Sequence, residues 1–234
     1  MSSTDAFDRA LDELSAASAT MTDLCRPFLN ALPVRGASIA VLADPFGKET
    51  ICASDRLAAR LDELQIDLGL GPCWDALSTR TPVFTSDIRR VDHRWPVLAD
   101  AIGDERIGAL FALPLYIGSL DIGAVDLYTE EPGTLTESEA KDAVALSTAA
   151  ARQVLLRALD AAQPGATYDT EPGTHSRRLV HQATGMVIAQ LGISATDALL
   201  VLRARAYADG RSVREVADDI VDRRLDLSSG ADEI

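Results

Sequence analysis

No apolar run in this 234-residue chain approaches the ~20 residues that a membrane-spanning helix needs. The N-terminal stretch from Met1 to Asp8 is polar and acidic, without the apolar core of a secretion signal. Cysteine is scarce. Cys25, Cys52 and Cys73 form an odd set at irregular spacing, which suggests neither a disulfide framework nor a metal site. These absences predict a soluble, cytoplasmic protein. Positive charge is also short: the net charge is −14. Such a balance argues against non-specific nucleic-acid or membrane binding by the chain as a whole. It tells only weakly against a local basic site, because charges beyond a Debye length of ~8–10 Å are largely screened. One segment reverses the balance. Residues 174–211 contain only two acids, Asp197 and Asp209, beside a cluster of arginines.

That segment reads as the start of three short helices. Leu179, Ala183, Met186, Val187 and Leu191 have helical spacing after Thr174, and Gly192 stops the run. Ser194-Ala195-Thr196-Asp197 resembles a capping box, and Ala198, Leu199, Leu202 and Ala206 form the stripe that follows. Asp209-Gly210 closes it. Ser212-Val213-Arg214-Glu215 is a fuller capping box, followed by Val216, Ala217, Ile220 and Val221. Gly185, inside the first helix, costs roughly 1 kcal/mol relative to alanine, which predicts close approach by a neighbouring helix or by a ligand backbone. Clustered arginines with few acids are the electrostatic footprint of phosphate binding. A solvated helix face is the plain alternative.

The run from His175 to Leu225 resembles an ANTAR domain, the RNA-binding module of transcription antiterminators. The matching pieces are Leu179-Val180-His181-Gln182-Ala183-Thr184-Gly185-Met186, Asp197-Ala198-Leu199-Leu200-Val201-Leu202-Arg203, Ala206, and Val213-Arg214-Glu215-Val216-Ala217 with Ile220-Val221. The resemblance implies binding to small paired stem-loops in nascent mRNA. Arg177, Arg178, His181, Gln182, Thr184, Arg203 and Arg211 are the candidate RNA contacts. Thr184 departs from the family, which usually has lysine there.

Two Pro-Gly pairs, Pro164-Gly165 and Pro172-Gly173, mark residues 160–174 as a flexible linker. Residues 1–19 read as a helical extension, 20–159 as one domain and 175–234 as the helical module. Upstream, residues 5–32 look helical, with Phe7, Leu11, Leu14, Met21, Leu24 and Phe28. Strands are expected at 38–43, 49–53, 82–85, 110–117 and 122–129. The last two read as a hairpin across Gly118-Ser119-Leu120-Asp121, apolar on both faces and therefore covered on both. A helix is expected from Leu135-Thr136-Glu137 to about Leu159. This antiparallel sheet framed by helices resembles a GAF domain. The pieces that carry the likeness are Gly69-Leu70-Gly71-Pro72-Cys73-Trp74-Asp75-Ala76-Leu77, Thr81-Pro82-Val83-Phe84, Asp87-Ile88, Arg94-Trp95-Pro96, Ala112-Leu113-Pro114-Leu115-Tyr116 and Ile122-Gly123-Ala124-Val125-Asp126-Leu127-Tyr128. Together the halves resemble actinobacterial GAF–ANTAR regulators. The fold class expected is α+β: an N-terminal GAF domain, then a small all-α ANTAR domain.

The resemblance implies a sensory domain that dimerises through its flanking helices, and a ligand pocket between sheet and covering loops. Its candidate lining is Trp74, Phe84, Ile88, His93, Trp95 and Phe111. Each has a plain reading as core or loop anchor. His93, between Asp92 and Arg94, reads as solvent-facing rather than as a haem ligand. No cyclic-nucleotide signature is present, and the residues leave any ligand or cofactor unknown. Two other readings stand beside the antiterminator. One is a DNA-binding regulator, since three small helices also make a helix-turn-helix. The other is a free methionine sulfoxide reductase of GAF type, with Cys73 in a loop similar to theirs. A thiol partner is absent after Asp87, and thiol catalysis needs exposed, activated cysteines, so a non-enzymatic regulator is expected. Whether the helical module is masked by the sensory half or swings free is open at this level.

Overall fold

A computed structural model of the chain describes residues 3–16, 23–44, 47–90, 94–103, 105–161 and 172–228. The chain divides between Thr167 and Tyr168 into two compact units.

The first unit is built on five strands: β1 (Gly36–Val41), β2 (Glu49–Ala53), β3 (Val83–Thr85), β4 (Leu110–Ile117) and β5 (Leu120–Tyr128). Their order is β2-β1-β5-β4-β3, and every pairing is antiparallel. Ile117 pairs with Leu120, so the β4–β5 turn is the two residues Gly118-Ser119, two fewer than the sequence suggests. Strand alternation sends Ile39, Val41, Phe111, Leu113, Val125 and Leu127 to one face. There they meet α1 (Ser3–Ser15), α2 (Arg26–Ala31) and α6 (Glu137–Ala161). Phe28 of α2 and Phe111 are both essentially fully buried in this layer. Each contributes about 1.5–3 kcal/mol of transfer free energy.

The opposite face is covered by α3 (Arg56–Leu68), α4 (Pro72–Thr79) and α5 (Pro96–Ile102). Helix α3 was not among the expected elements, although its signals are local. Asp55 caps it by accepting from the amides of Leu57 and Ala58 at 2.8 and 2.9 Å. Leu57, Leu61, Leu64 and Leu68 then give helical spacing, and Gly69 ends the helix in a left-handed conformation at φ 66°. Helices α4 and α5 each begin with proline, Pro72 and Pro96, where a missing N–H costs nothing.

The expected helix over 5–32 is instead two helices, α1 and α2. Pro27 is the reason on the α2 side: in the first turn it starts a helix, whereas in an interior it would break one. Met21 lies outside the described residues.

The second unit is three helices: α7 (Pro172–Leu191), α8 (Ala195–Ala208) and α9 (Val213–Val221). Gly192 terminates α7 at φ 66°. The Ser194 hydroxyl accepts from the Asp197 amide at 3.2 Å, and Ser212 with Glu215 forms a complete capping box. Ala183, Val187, Leu202, Ala206, Val216, Ala217 and Ile220 make the shared core. Both ends of the expected linker are helical, since α6 reaches Ala161 and α7 starts at Pro172. Pro172 occupies the first helical position, so this Pro-Gly pair opens a helix rather than interrupting one. Residues 162–171 lie outside the described residues.

Ala183 and Ala217 are fully buried between helices. Replacing either by leucine overfills the site and should destabilise the helical unit by ~1–3 kcal/mol. Denaturant unfolding followed by amide exchange in α7–α9 checks this. A leucine variant that unfolds with the wild type would place these alanines outside the core.

Candidate functional site

The exposed side of α7 carries His181, Gln182, Gly185 and Ala189, spaced to lie along one face. Gly185 is not a packing site. A methyl group built on it would meet nothing within 4 Å. Helix-to-helix approach is therefore overturned as its reason, and open solvent lies over it. Arg177 and Arg178 lie on the first turns of α7, and their side chains fall outside the described residues. Thr184 turns its hydroxyl inward to donate to the Val180 carbonyl at 2.7 Å, so that group is engaged within its own helix.

On α8, Arg203 is half-buried, and Leu200 and Tyr207 are 63% and 50% exposed. These two apolar side chains beside Arg203 were not singled out from the sequence. Their signal is an apolar pair at i and i+7 that the α8 core stripe does not need. Arg211 is committed elsewhere. Its guanidinium meets Asp219 at 2.6 Å and donates to the Glu215 carbonyl at 2.9 Å, which ties the α8–α9 turn to α9. Arg205 pairs with Asp209 at 2.7 Å, and Arg224 is surrounded by Asp218, Asp219 and Asp222. Arg224 and Arg211 together hold the Asp219 carboxyl below its ordinary range. Arg203 takes part in none of these ion pairs.

The five pocket candidates among the described residues do not converge. Ile88 and Trp95 are buried with Leu98, Ile102 and Leu110 on the α3–α5 side. Trp74 is half-buried on α4, its indole donating to the Gln65 carbonyl at 2.7 Å with the Lys48 ammonium 4.7 Å above the ring. Phe111 points the other way, into the α1–α2–α6 layer. Strand alternation decides this, because Leu110 takes the opposite face. Phe84 pairs with Phe111 across the ladder, ring edge to face at 5.6 Å. His93 lies outside the described residues.

Where a pocket was expected, the α3–α4 side of the sheet holds a buried polar knot. Gln65 is its hub. The Gln65 amide group donates to Asp126 Oδ2 at 2.6 Å and its carbonyl oxygen accepts from the Cys73 amide at 3.0 Å. Gly71, at φ 136°, permits this: a side-chain carbon there would stand 2.5 Å from Gln65 Oε1. Asp62 accepts from the Thr50 hydroxyl. Ser38 faces Asp126 across the β1–β5 ladder. Ser38 Oγ and Asp126 Oδ1 have no hydrogen-bond partner among the described residues. Burial pushes the Asp62 carboxyl up to about 7 and the Asp126 carboxyl well above its ordinary value. Burial also pushes the Cys73 thiol up, the reverse of what a thiolate nucleophile needs.

The cysteines correct a second expectation. Cys25, just before α2, and Cys52, on β2, form a disulfide, which leaves only Cys73 free. Their 27-residue separation gave no local sign of it, because the pairing is made by the packing of α2 beside the sheet.

The first unit is thus a five-stranded antiparallel sheet covered on both faces by helices, and the second a capped three-helix unit, an α+β domain joined to a small all-α one. Family comparison agrees. A GAF domain model matches residues 18–153, and an ANTAR domain model matches residues 173–221. The chain belongs to the GAF family and carries a C-terminal ANTAR domain, a pairing of sensory domain and RNA-binding antiterminator module. No curated protein matches it. Among solved structures it is similar to the GAF domain of an Acinetobacter phosphoenolpyruvate-protein phosphotransferase, at 13% identity and TM-score 0.53, over 70% of this chain and 99% of that one. The GAF domain of the Coxiella burnetii phosphoenolpyruvate-protein phosphotransferase aligns at 16% identity and TM-score 0.52, over 69% and 97%. At such identities the likeness shows the fold alone. The domain pairing fits a regulatory, non-enzymatic protein, and no single helix among the described residues is long and apolar enough to cross a membrane.

The buried acids make the first unit pH-sensitive. In the unfolded chain Asp62 titrates near 3.8, and in the fold near 7. Its folded pKa is raised, so the stability it contributes is complete below about pH 4 and lost as pH rises towards 7. Asp126 acts in the same direction. The unfolding midpoint in urea should therefore fall between about pH 5 and about pH 8, and fall less in Asp62→Asn. Equal pH dependence in the variant and the wild type would show that Asp62 is ionised in the fold.

Proposed function

We propose that this chain is a cytoplasmic transcription antiterminator. Its ANTAR unit binds stem-loops in nascent mRNA and keeps a terminator hairpin from forming. Its GAF unit, within residues 20–159, senses a signal and joins two copies, while the RNA module lies within residues 175–234. The ANTAR match carries the reading, since it falls on a three-helix unit whose α7 presents His181, Gln182 and Gly185 to solvent. A mid-helix glycine with open space over it is an unrepaid cost of about 1 kcal/mol in the free protein. Close approach of an RNA backbone gives it a reason. Arg177, Arg178, His181, Gln182 and Arg203 are the first contacts proposed. Arg211 reaches RNA only by releasing Asp219, and Thr184 only by releasing the Val180 carbonyl. Loop nucleotides supply the sequence readout, because A-form stems hide their base edges in a narrow groove.

Homodimerisation has its own support. Val144, Leu156 and Leu159 are 40%, 46% and 47% exposed along one side of α6, with Thr148 and Arg152 between them. That stripe suits a second copy of the same helix. Two linked modules gain avidity through effective concentration. Converting Leu156 and Leu159 to glutamate should yield a monomer by analytical ultracentrifugation. A wild-type chain that is already monomeric overturns the dimer.

Competition between a stem-loop RNA and duplex DNA tests the main reading, and preference for the duplex makes the protein a DNA-binding regulator. Arg203→Ala should weaken RNA binding and flatten its salt dependence by up to about 1 unit of slope. Gly185→Ala should have opposite effects on two measurements. It should raise helix stability by about 0.5–1 kcal/mol while weakening RNA binding. Undiminished affinity in Gly185→Ala removes this face from the RNA contact. Undiminished affinity after neutralising Arg177, Arg178, His181 and Arg203 together, in a folded chain, removes the assignment altogether.

A further inference from the structure

We propose that Cys25 and Cys52 are a reversible oxidation site, through which the thiol–disulfide balance of the cell reaches the dimer-forming helices. The inference rests in part on the antiterminator reading. A protein that acts on nascent mRNA works in a compartment where low-molecular-weight thiols keep cysteines reduced. There a disulfide is transient and redox-sensing rather than a permanent staple.

The geometry selects this pair. Their sulfurs are brought together from two separate segments, and the Asp23 carboxylate completes a cluster whose ligand atoms lie within 4.8 Å of one another. The Asp23 carboxylate accepts from the backbone amides of Cys25 and Arg26 at 3.0 and 3.1 Å, which fixes the backbone that carries Cys25. Cys73 is excluded from the chemistry, because it is buried and its thiol is pushed up. Cys25 is fully buried, whereas Cys52 is half-buried on the edge strand β2. A small thiol therefore attacks Cys52 Sγ. The Cys25–Cys52 bond breaks, Cys25 leaves as a thiol carrying the attacker's proton, and Cys52 is held as a mixed disulfide. A second small thiol then attacks that mixed disulfide. It releases Cys52 as a thiol and leaves the small-molecule disulfide as the oxidised product. Hydrogen peroxide reverses the couple. One thiol is oxidised to a sulfenic acid with loss of water, and the other displaces a second water to close the disulfide.

The bond has somewhere to transmit. It ties the start of α2 to β2, an edge strand paired on one side only, with β1. Helix α2 packs against α1 and α6. Helix α6 carries the exposed stripe of Val144, Leu156 and Leu159. Opening the disulfide releases one end of the layer that presents this stripe.

The test uses the full-length protein. After peroxide, alkylation under denaturing conditions should label one of the three cysteines, and all three after reduced glutathione is applied to the folded chain. The dimer dissociation constant should differ about fivefold or more between the two states. That difference should vanish in Cys52→Ser and in Cys25→Ser, and persist in Cys73→Ser, with circular dichroism confirming that each variant is folded. Three labels after peroxide overturn the proposal, since the pair then does not oxidise. A disulfide that withstands glutathione in the folded chain overturns it as well, since the bond is then a fixed staple. Equal dimer constants in the two states also overturn it. None of these measurements uses RNA, so loss of the RNA reading would show separately, as failure to bind stem-loops in either state.

Discussion

The sheet of the first unit is apolar on both faces, and each face has to be removed from water by helices. Most other features follow from that requirement. Ile39, Phe111, Leu113 and Val125 demand one helical layer, supplied by α1, α2 and α6. Leu110, Ala40 and Tyr128 demand another, supplied by α3, α4 and α5. The first layer leaves Val144, Leu156 and Leu159 exposed on the outer side of α6. It also sets α2 against the sheet edge, which brings Cys25 to Cys52.

The second layer covers polar groups as well as apolar ones, and one carboxamide organises them. The Gln65 side chain bridges Asp126 and the backbone of Cys73, and its backbone carbonyl accepts from the indole of Trp74. This arrangement fills the region between sheet and helices with the protein's own side chains. Two carboxyls are held there against their tendency to ionise, which costs stability near neutral pH. Ser38 Oγ and Asp126 Oδ1 are left there without hydrogen-bond partners among the described residues.

The helical unit shows how folding redistributes charge. Along the chain, residues 174–211 are nearly free of acids. In the fold, α9 returns Asp219 to Arg211. Arg205 is taken up by Asp209 within its own helix. Among the described arginines of α8 and the turn after it, Arg205 and Arg211 are therefore taken up in ion pairs, whereas Arg203 enters none of them. Near it, Leu200 and Tyr207 add exposed apolar surface that a count of charges passes over.

Local signals in the sequence determined much of this protein. The continuous apolar runs of β4 and β5, the capping boxes at Ser194 and Ser212 and the glycine stop at Gly192 act within a few residues, and each forms as its local chemistry dictates. The motif pieces also identified both domains, because their spacing survives in a linear string. Tertiary structure decided what depends on partners distant in sequence. It turned Phe111 away from Ile88 and Trp95, because the direction of a strand residue is settled by which helices cover which face. It joined Cys25 to Cys52 and buried Asp62 beside Thr50. It also left Gly185 facing open space, although a glycine within a helix reads equally well as a packing site. Burial and pairing are properties of what the rest of the chain places nearby, and no window of sequence contains that.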